Sequence, residues 1–121
     1  MMESQSKTLL RRGDIVLVPF PFTDLSVQKT RPAVVISVKN DIDVTVAFIS
    51  SIIPHKPDEF DLVLWESHPD FFLTGLKKSS VFKMSKVVTV ERSKILRKLG
   101  GISPLIQKEI DIKFKLAFGL K

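Results

Sequence analysis

The stretch QKTRPAVVIS, residues 28–37, decides the fold of this chain. The residues that follow Pro32 are apolar and do not alternate with polar ones, which is typical of a strand covered on both faces. Proline also restricts the residue before it, Arg31, to extended backbone. The stretch therefore predicts a buried strand over 31–37 that begins with a permanently charged arginine.

Further strands are predicted on both sides of this one. The segment before it stops at Pro19 and Pro21, and the loop over 19–30 is rich in proline and in the turn formers Thr, Asp and Ser. In the segment after it, Val44, Val46, Phe48 and Ser50 share one face of a strand, and Thr45, Ala47, Ile49 and Ser51 share the other. The predicted strands cover 13–20, 31–37, 44–53, 60–65 and 80–90.

The end of the chain has a helical period instead. Ser103 is a good helix cap, and Pro104 suits the first helical position, where its missing N–H costs nothing. The spacing predicts one apolar stripe, made of Ile106, Ile110, Phe114 and Ala117 and joined by Leu105 and Phe118. About five short strands and a terminal amphipathic helix indicate a small, strongly bent β-barrel with the helix packed on it, mainly β and leaning to α+β.

Composition narrows the class of protein. A chain of 121 residues predicts a single domain over 1–121, and the absence of cysteine excludes disulfides and thiolate metal sites and suits a cytoplasmic protein. The start, MMESQSKTLLRRGD, has no apolar segment of a signal peptide, and no apolar run approaches the ~20 residues of a membrane helix. Nineteen basic and thirteen acidic side chains give a net charge of +6, which favours polyanionic partners.

Four motifs together resemble the MazF/PemK family of toxin endoribonucleases. They are RRGDIVLVPFPFTD, KTRPAVVIS, VAFISS and GLKKSSVFKMSKVVTVE, and they span about residues 11 to 97. The resemblance implies an SH3-like barrel with a C-terminal helix, a homodimer, and a cognate antitoxin that blocks the site. It also implies metal-independent, sequence-selective cleavage of single-stranded RNA, leaving 2′,3′-cyclic phosphate and 5′-hydroxyl ends, with no cofactor.

Two catalytic residues follow from this resemblance. The family's arginine falls on Arg31, and its threonine or serine falls on Ser50. RNA supplies its own nucleophile, the 2′-hydroxyl, so the protein's task is to stabilise charge on the phosphate. A guanidinium is always charged and offers a planar fork of donors, and a serine hydroxyl can donate to the same phosphate. Ser51 lies on the opposite face of the strand, so at most one of the two serines should line the site.

Candidates for contact with RNA lie around these two residues. Many relatives carry a Glu-Gln pair before the Arg-Pro element, where Ser26-Val27-Gln28 stands here, so the place of an acidic general base is taken by a valine. Thr23, Asp24 and Lys29 are then expected to contact RNA or to gate the groove. Lys83 is a further candidate for phosphate contact, as is Ser51, while Lys86 should lie on the opposite face with Met84.

Other functions remain open on the sequence alone. His55 and His68 lie in different loops, which favours exposed side chains over a catalytic pair, and no metal-ligand spacing is present. Trp65 closes an apolar strand and is expected in the core or a dimer interface. Phe118-Gly119-Leu120 loosely resembles the tail of gyrase-poisoning CcdB-type toxins, which have the same fold. A non-catalytic RNA-binding module is the other alternative.

Overall fold

The computed structural model describes residues 9–19 and 29–121. Its strands form one antiparallel sheet, in the order β4-β5-β3-β2-β1-β6. The strands are β1 (Asp14–Pro19), β2 (Thr30–Val38), β3 (Asp43–Ser50), β4 (Asp61–Leu64), β5 (Ser80–Glu91) and β6 (Arg97–Gly101), and the helix α1 (Pro104–Phe118) follows them. The sheet curls into a half-barrel with α1 packed on it, which confirms the predicted mainly β fold with a C-terminal helix.

β6 is the strand that sequence patterning missed. Its sequence, RKLGG, holds two cations and two glycines and has little intrinsic preference for a strand. It forms because it pairs with β1, where Ile15 lies opposite Gly100 and Asp14 opposite Gly101. β3 also ends at Ser50, three residues before the predicted end, because the chain bends there.

Both faces of the central strands are buried. One cluster lies beneath α1 and contains Ile15, Val34, Ala47, Ile49, Leu64, Phe82, Met84, Ile106 and Ile110. The cluster on the other side contains Val16, Val18, Ala33, Val35, Val44, Val46 and Phe48. Neighbouring residues of β2 thus enter different clusters while all being buried, which explains why this strand lacks polar alternation.

The helix begins and ends as its sequence predicts, but its apolar stripe is narrower. Ser103 Oγ accepts a hydrogen bond from the Ile106 N–H at 3.3 Å, and the chain leaves the helix at a glycine with positive φ. The inclusion of Leu105 in the stripe was wrong, since it is 53% exposed, and Phe118 lies at the edge of the stripe, 47% exposed. Leu105 lies about 100° around the helix from the buried Ile106, and Phe118 packs its ring on Phe114. No helix in the described ranges has the length and apolar character needed to cross a membrane.

Two glycines let the chain close against the edge of the sheet. The short 3₁₀ turn Phe71–Thr74 lies directly on β6, where a Cβ added to Gly100 would be 2.4 Å from the Leu73 carbonyl oxygen. Gly75 has φ +74°, and a Cβ there would be 2.1 Å from the Leu99 carbonyl oxygen. The turn and β6 therefore pack backbone against backbone, and neither glycine has room for a side chain.

β5 contains a large bulge opposite β3. Ala47 pairs with Val87 and Ile49 pairs with Phe82, so four residues of β5, numbers 83–86, face Phe48 alone. We call residues 83–86 the β5 bulge. Extra residues on one strand bend it and increase its local twist, and they break the alternation of its side chains. The bulge therefore changes which side chains of β5 face the same way.

Candidate functional site

A cleft of about 550 Å³ opens where β2, β3 and β5 lie side by side. Its size falls in the range of ordinary ligand sites. The apolar part of its lining is Phe48, Ile49, Ile52, Val87 and Val88, and the polar part is Arg31, Ser50, Lys83, Ser85 and Lys86. Three cations and no carboxylate stand among these lining residues, so the cleft favours an anionic ligand that also has apolar surface.

Strand pairing brings Arg31 and Ser50 together. Ala33 of β2 pairs with Phe48 of β3, and continuing this antiparallel register by two residues places Arg31 level with Ser50. Both side chains lie on the same face of the sheet, because residues two apart on a strand point the same way. On its other side Arg31 pairs with Val18 of β1. The half-buried arginine is thus held on a strand with neighbours on both sides.

Ser50 is the last residue of β3, and the turn that follows is tied to it. Its Oγ accepts a hydrogen bond from the Ile52 N–H at 3.1 Å. A hydroxyl that accepts one bond still has its own proton to donate, so Ser50 can donate to a ligand in the cleft. Ser51 is exposed in the bend after the strand and is not part of the lining. Only one of the two adjacent serines therefore faces the cleft.

The candidates for contact with RNA are placed differently from one another. Lys83 lines the cleft, whereas Lys29 is exposed just before β2 and does not line it. Thr23 and Asp24 lie outside the described residues. So do residues 26–28, which stand where many relatives have the Glu-Gln pair.

The structure adds two lining residues that sequence reasoning missed. Ser85 and Lys86 line the cleft together with Lys83, although strand alternation places Lys86 on the other face. The β5 bulge removes that alternation, which is why the expected position of Lys86 was wrong. The clustering of polar residues in KMSK was the available signal, but their common direction depends on the pairing with β3.

The remaining candidates lie away from the cleft. His55 is exposed, and His68 Nδ1 accepts a hydrogen bond from the Asp70 N–H at 3.0 Å, so the two histidines stay in separate loops. Trp65 directly follows β4 and is 54% exposed, which excludes the core and leaves the dimer interface as the untested half of that prediction. In the part of the chain that the structure describes, no three His, Cys, Asp or Glu side chains are grouped so as to hold a metal ion.

Solved structures define the class of fold. The toxin MazF-mt6 of Mycobacterium tuberculosis superposes with a TM-score of 0.69 at 17% identity, over 89% of this chain and 98% of its own. An endoribonuclease in complex with its cognate antitoxin, from a mycobacterial species, superposes with a TM-score of 0.68 at 16% identity. The match covers 93% of this chain and 98% of the endoribonuclease chain. A MazE–MazF structure from Deinococcus radiodurans superposes with a TM-score of 0.66 at 19% identity. The match covers 91% of this chain and 96% of that chain. The curled sheet with its terminal helix is thus the MazF toxin fold.

The family follows from the sequence itself. The family model described as PemK-like, MazF-like toxin of type II toxin-antitoxin system matches residues 11–118. The chain belongs to this family, which confirms the resemblance drawn from its motifs. A search of curated protein sequences found no match.

Proposed function

We propose that this chain is the toxin of a toxin–antitoxin pair and an endoribonuclease that cleaves single-stranded RNA without a metal ion. The observation that carries the proposal is the common opening of Arg31 and Ser50 into one cleft whose lining combines three cations with apolar side chains. The family match and the fold of structures described as endoribonucleases support it.

Arg31 is the proposed electrostatic catalyst. When the 2′-oxygen attacks phosphorus, one further unit of negative charge develops on the phosphate oxygens. A guanidinium fixed beside those oxygens stabilises the charge that appears in the transition state more than the charge of the ground state. The strand neighbours of Arg31 and the restriction by Pro32 reduce the reorganisation that this requires.

Ser50 is the proposed second donor. Its hydroxyl can donate to a non-bridging oxygen of the same phosphate, while the bond from Ile52 holds the oxygen in place. The 2′-hydroxyl gives its proton to solvent as the bond between the 2′-oxygen and phosphorus forms, and the bond from phosphorus to the 5′-oxygen breaks while the 5′-oxygen takes up a proton from solvent. The products are a 2′,3′-cyclic phosphate and a 5′-hydroxyl.

The proposed partners are a cognate antitoxin and a second copy of the chain. Related folds are described in complex with an antitoxin, and an antitoxin that covers the cleft would exclude RNA from it. For the homodimer, a second stripe on α1 faces solvent, made of Leu105, Ile112 and Leu116. An antiparallel pairing of two helices centred on Ile112 places Glu109 of each copy level with Lys115 of the other, which gives the contact complementary charges.

The test of the activity is cleavage of a long unstructured RNA in EDTA. Discrete cuts with cyclic-phosphate ends, lost in Arg31→Ala, would support the nuclease. A wild-type protein that leaves varied RNAs intact but still stops growth would favour the gyrase-poisoning alternative, in which removal of residues 118–121 abolishes toxicity. Gly119 has an ordinary role in ending α1, because its N–H donates to the carbonyls of Leu116 and Lys115. RNA binding without cleavage would favour the non-catalytic module.

The test of the dimer is sedimentation equilibrium of wild type and Ile112→Lys. A charged side chain in the centre of the paired stripe should convert dimer to monomer, because an unpaired buried charge is strongly unfavourable. Leu96→Lys is the matched control, since Leu96 is similarly exposed but is not part of α1. A dimer that persists in the Ile112 variant would exclude this face as the interface.

A further inference from the structure

The β5 bulge gives one wall of the cleft an unusual concentration of donors. Lys83, Ser85 and Lys86 all line the cleft, although strict alternation would turn one of the lysines away. In a simple bulge two residues of one strand lie opposite one residue of the other. Here four residues of β5 lie opposite Phe48 alone. The pairing thus brings two cations and a hydroxyl to one wall from a segment of four residues.

These lysines are not neutralised by neighbouring carboxylates. Within residues 9–19 and 29–121, neither Lys83 nor Lys86 forms an ion pair. Asp61 is the cross-strand partner of Lys83, but its Oδ2 accepts a hydrogen bond from the Asp58 N–H at 3.1 Å, and Asp61 does not line the cleft. Both ammonium groups are therefore available to an anion that enters the cleft.

The bulge lies on the wall opposite Arg31. The sheet order places β3 between β2 and β5, so the two walls are two strand spacings, roughly 10 Å, apart at the backbone. Between them runs β3, which contributes Phe48 to the lining, and Val88 of β5 is also an apolar lining residue. Cations on two strands and apolar side chains in the same lining match the chemistry of a nucleic-acid strand, in which charged phosphates alternate with less polar sugars and bases.

We infer that Lys83 and Lys86 together hold a phosphate that flanks the scissile one, so that the cleft engages two successive phosphates of the RNA. The inference rests on the proposed function, in which Arg31 and Ser50 hold the scissile phosphate. Ser85 lies between the two lysines in sequence and offers a third donor to the flanking phosphate. The lysines act in binding and register, and the chemical step stays with Arg31.

The first test measures salt-dependent binding of a single-stranded oligoribonucleotide whose 2′-hydroxyls are methylated, so that no cleavage can occur. Each phosphate neutralised on a single strand contributes about 0.7 to the slope of log K against log salt. The double variant Lys83→Gln/Lys86→Gln should lower the magnitude of this slope by about 0.7. The control double variant, Lys94→Gln/Lys108→Gln, removes the same charge from exposed positions outside the cleft and should leave the slope unchanged. Equal slopes in both double variants would overturn the inference.

The second test identifies the phosphate. The flanking phosphates of the mapped cut are replaced in turn by neutral methylphosphonates. One replacement should weaken binding to wild type by roughly 10- to 100-fold, the range of a hydrogen bond to a charged group, and should have no effect on Lys83→Gln/Lys86→Gln. The same loss in both proteins would show that the lysines contact neither phosphate. Cleavage of unmodified RNA by wild type, measured in parallel, tests the proposed function separately, because the salt-slope test needs no catalysis.

Discussion

Replacement of Arg31 by alanine is the sharpest test of the cleft. The transition state carries about one more negative charge than the ground state, and Arg31 lines a cleft in which half of the lining residues are apolar. Two unit charges 4 Å apart interact by about 4 kcal/mol at an effective dielectric constant of 20, against about 1 kcal/mol in water. The difference of about 3 kcal/mol corresponds to a loss of roughly 10² in rate, which agrees with the ~10²–10³ typical for one such donor.

The assay is single-turnover cleavage of a long RNA with enzyme in excess, followed by primer extension at the strongest cut. Arg31→Lys should fall between wild type and Arg31→Ala, since lysine keeps the charge but loses the planar fork of donors. Arg97→Ala, an exposed arginine of β6 outside the cleft, is the matched control and should cleave like wild type. An Arg31→Ala rate within about threefold of wild type would refute the reasoning and leave Arg31 as a strand-end cation worth about 0–1 kcal/mol.

The other predictions concern the second donor, the edge of the sheet and the core. Ser50→Ala should slow the same single-turnover cleavage by roughly 10- to 100-fold, and an equal effect of Ser51→Ala would contradict the assignment to the strand face. Gly75→Ala should lower the free energy of unfolding in a urea titration by more than about 2 kcal/mol, because the new methyl group would meet a β6 carbonyl oxygen at 2.1 Å; a wild-type midpoint would show that the turn can move away. Ile110→Ala should cost about 2–5 kcal/mol in that titration, whereas the exposed Ile42→Ala should stay within about 0.5 kcal/mol, and similar losses would argue against the cluster beneath α1.

Local patterns predicted most of the elements correctly. The apolar run after Pro32 identified β2, and Ser103 with Pro104 identified the start of α1, because covered strands and helix caps have short-range signatures. The narrow stripe of α1 was less predictable. Leu105 and Ile106 are both apolar and point in different directions around the helix. Which of the two is buried depends on where the sheet lies, and the sequence of the helix does not contain that information.

The sequence by itself determined the mainly β chain with its capped terminal helix, the cation restricted by Pro32, and the motifs that carry the family. Only the tertiary structure decided the architecture of the cleft: the register that brings Arg31 level with Ser50, and the β5 bulge that turns Lys83 and Lys86 toward the same space. The physical reason is that strand pairing joins residues far apart in the chain. A side chain's face then depends on its partner strand as well as on its own alternation.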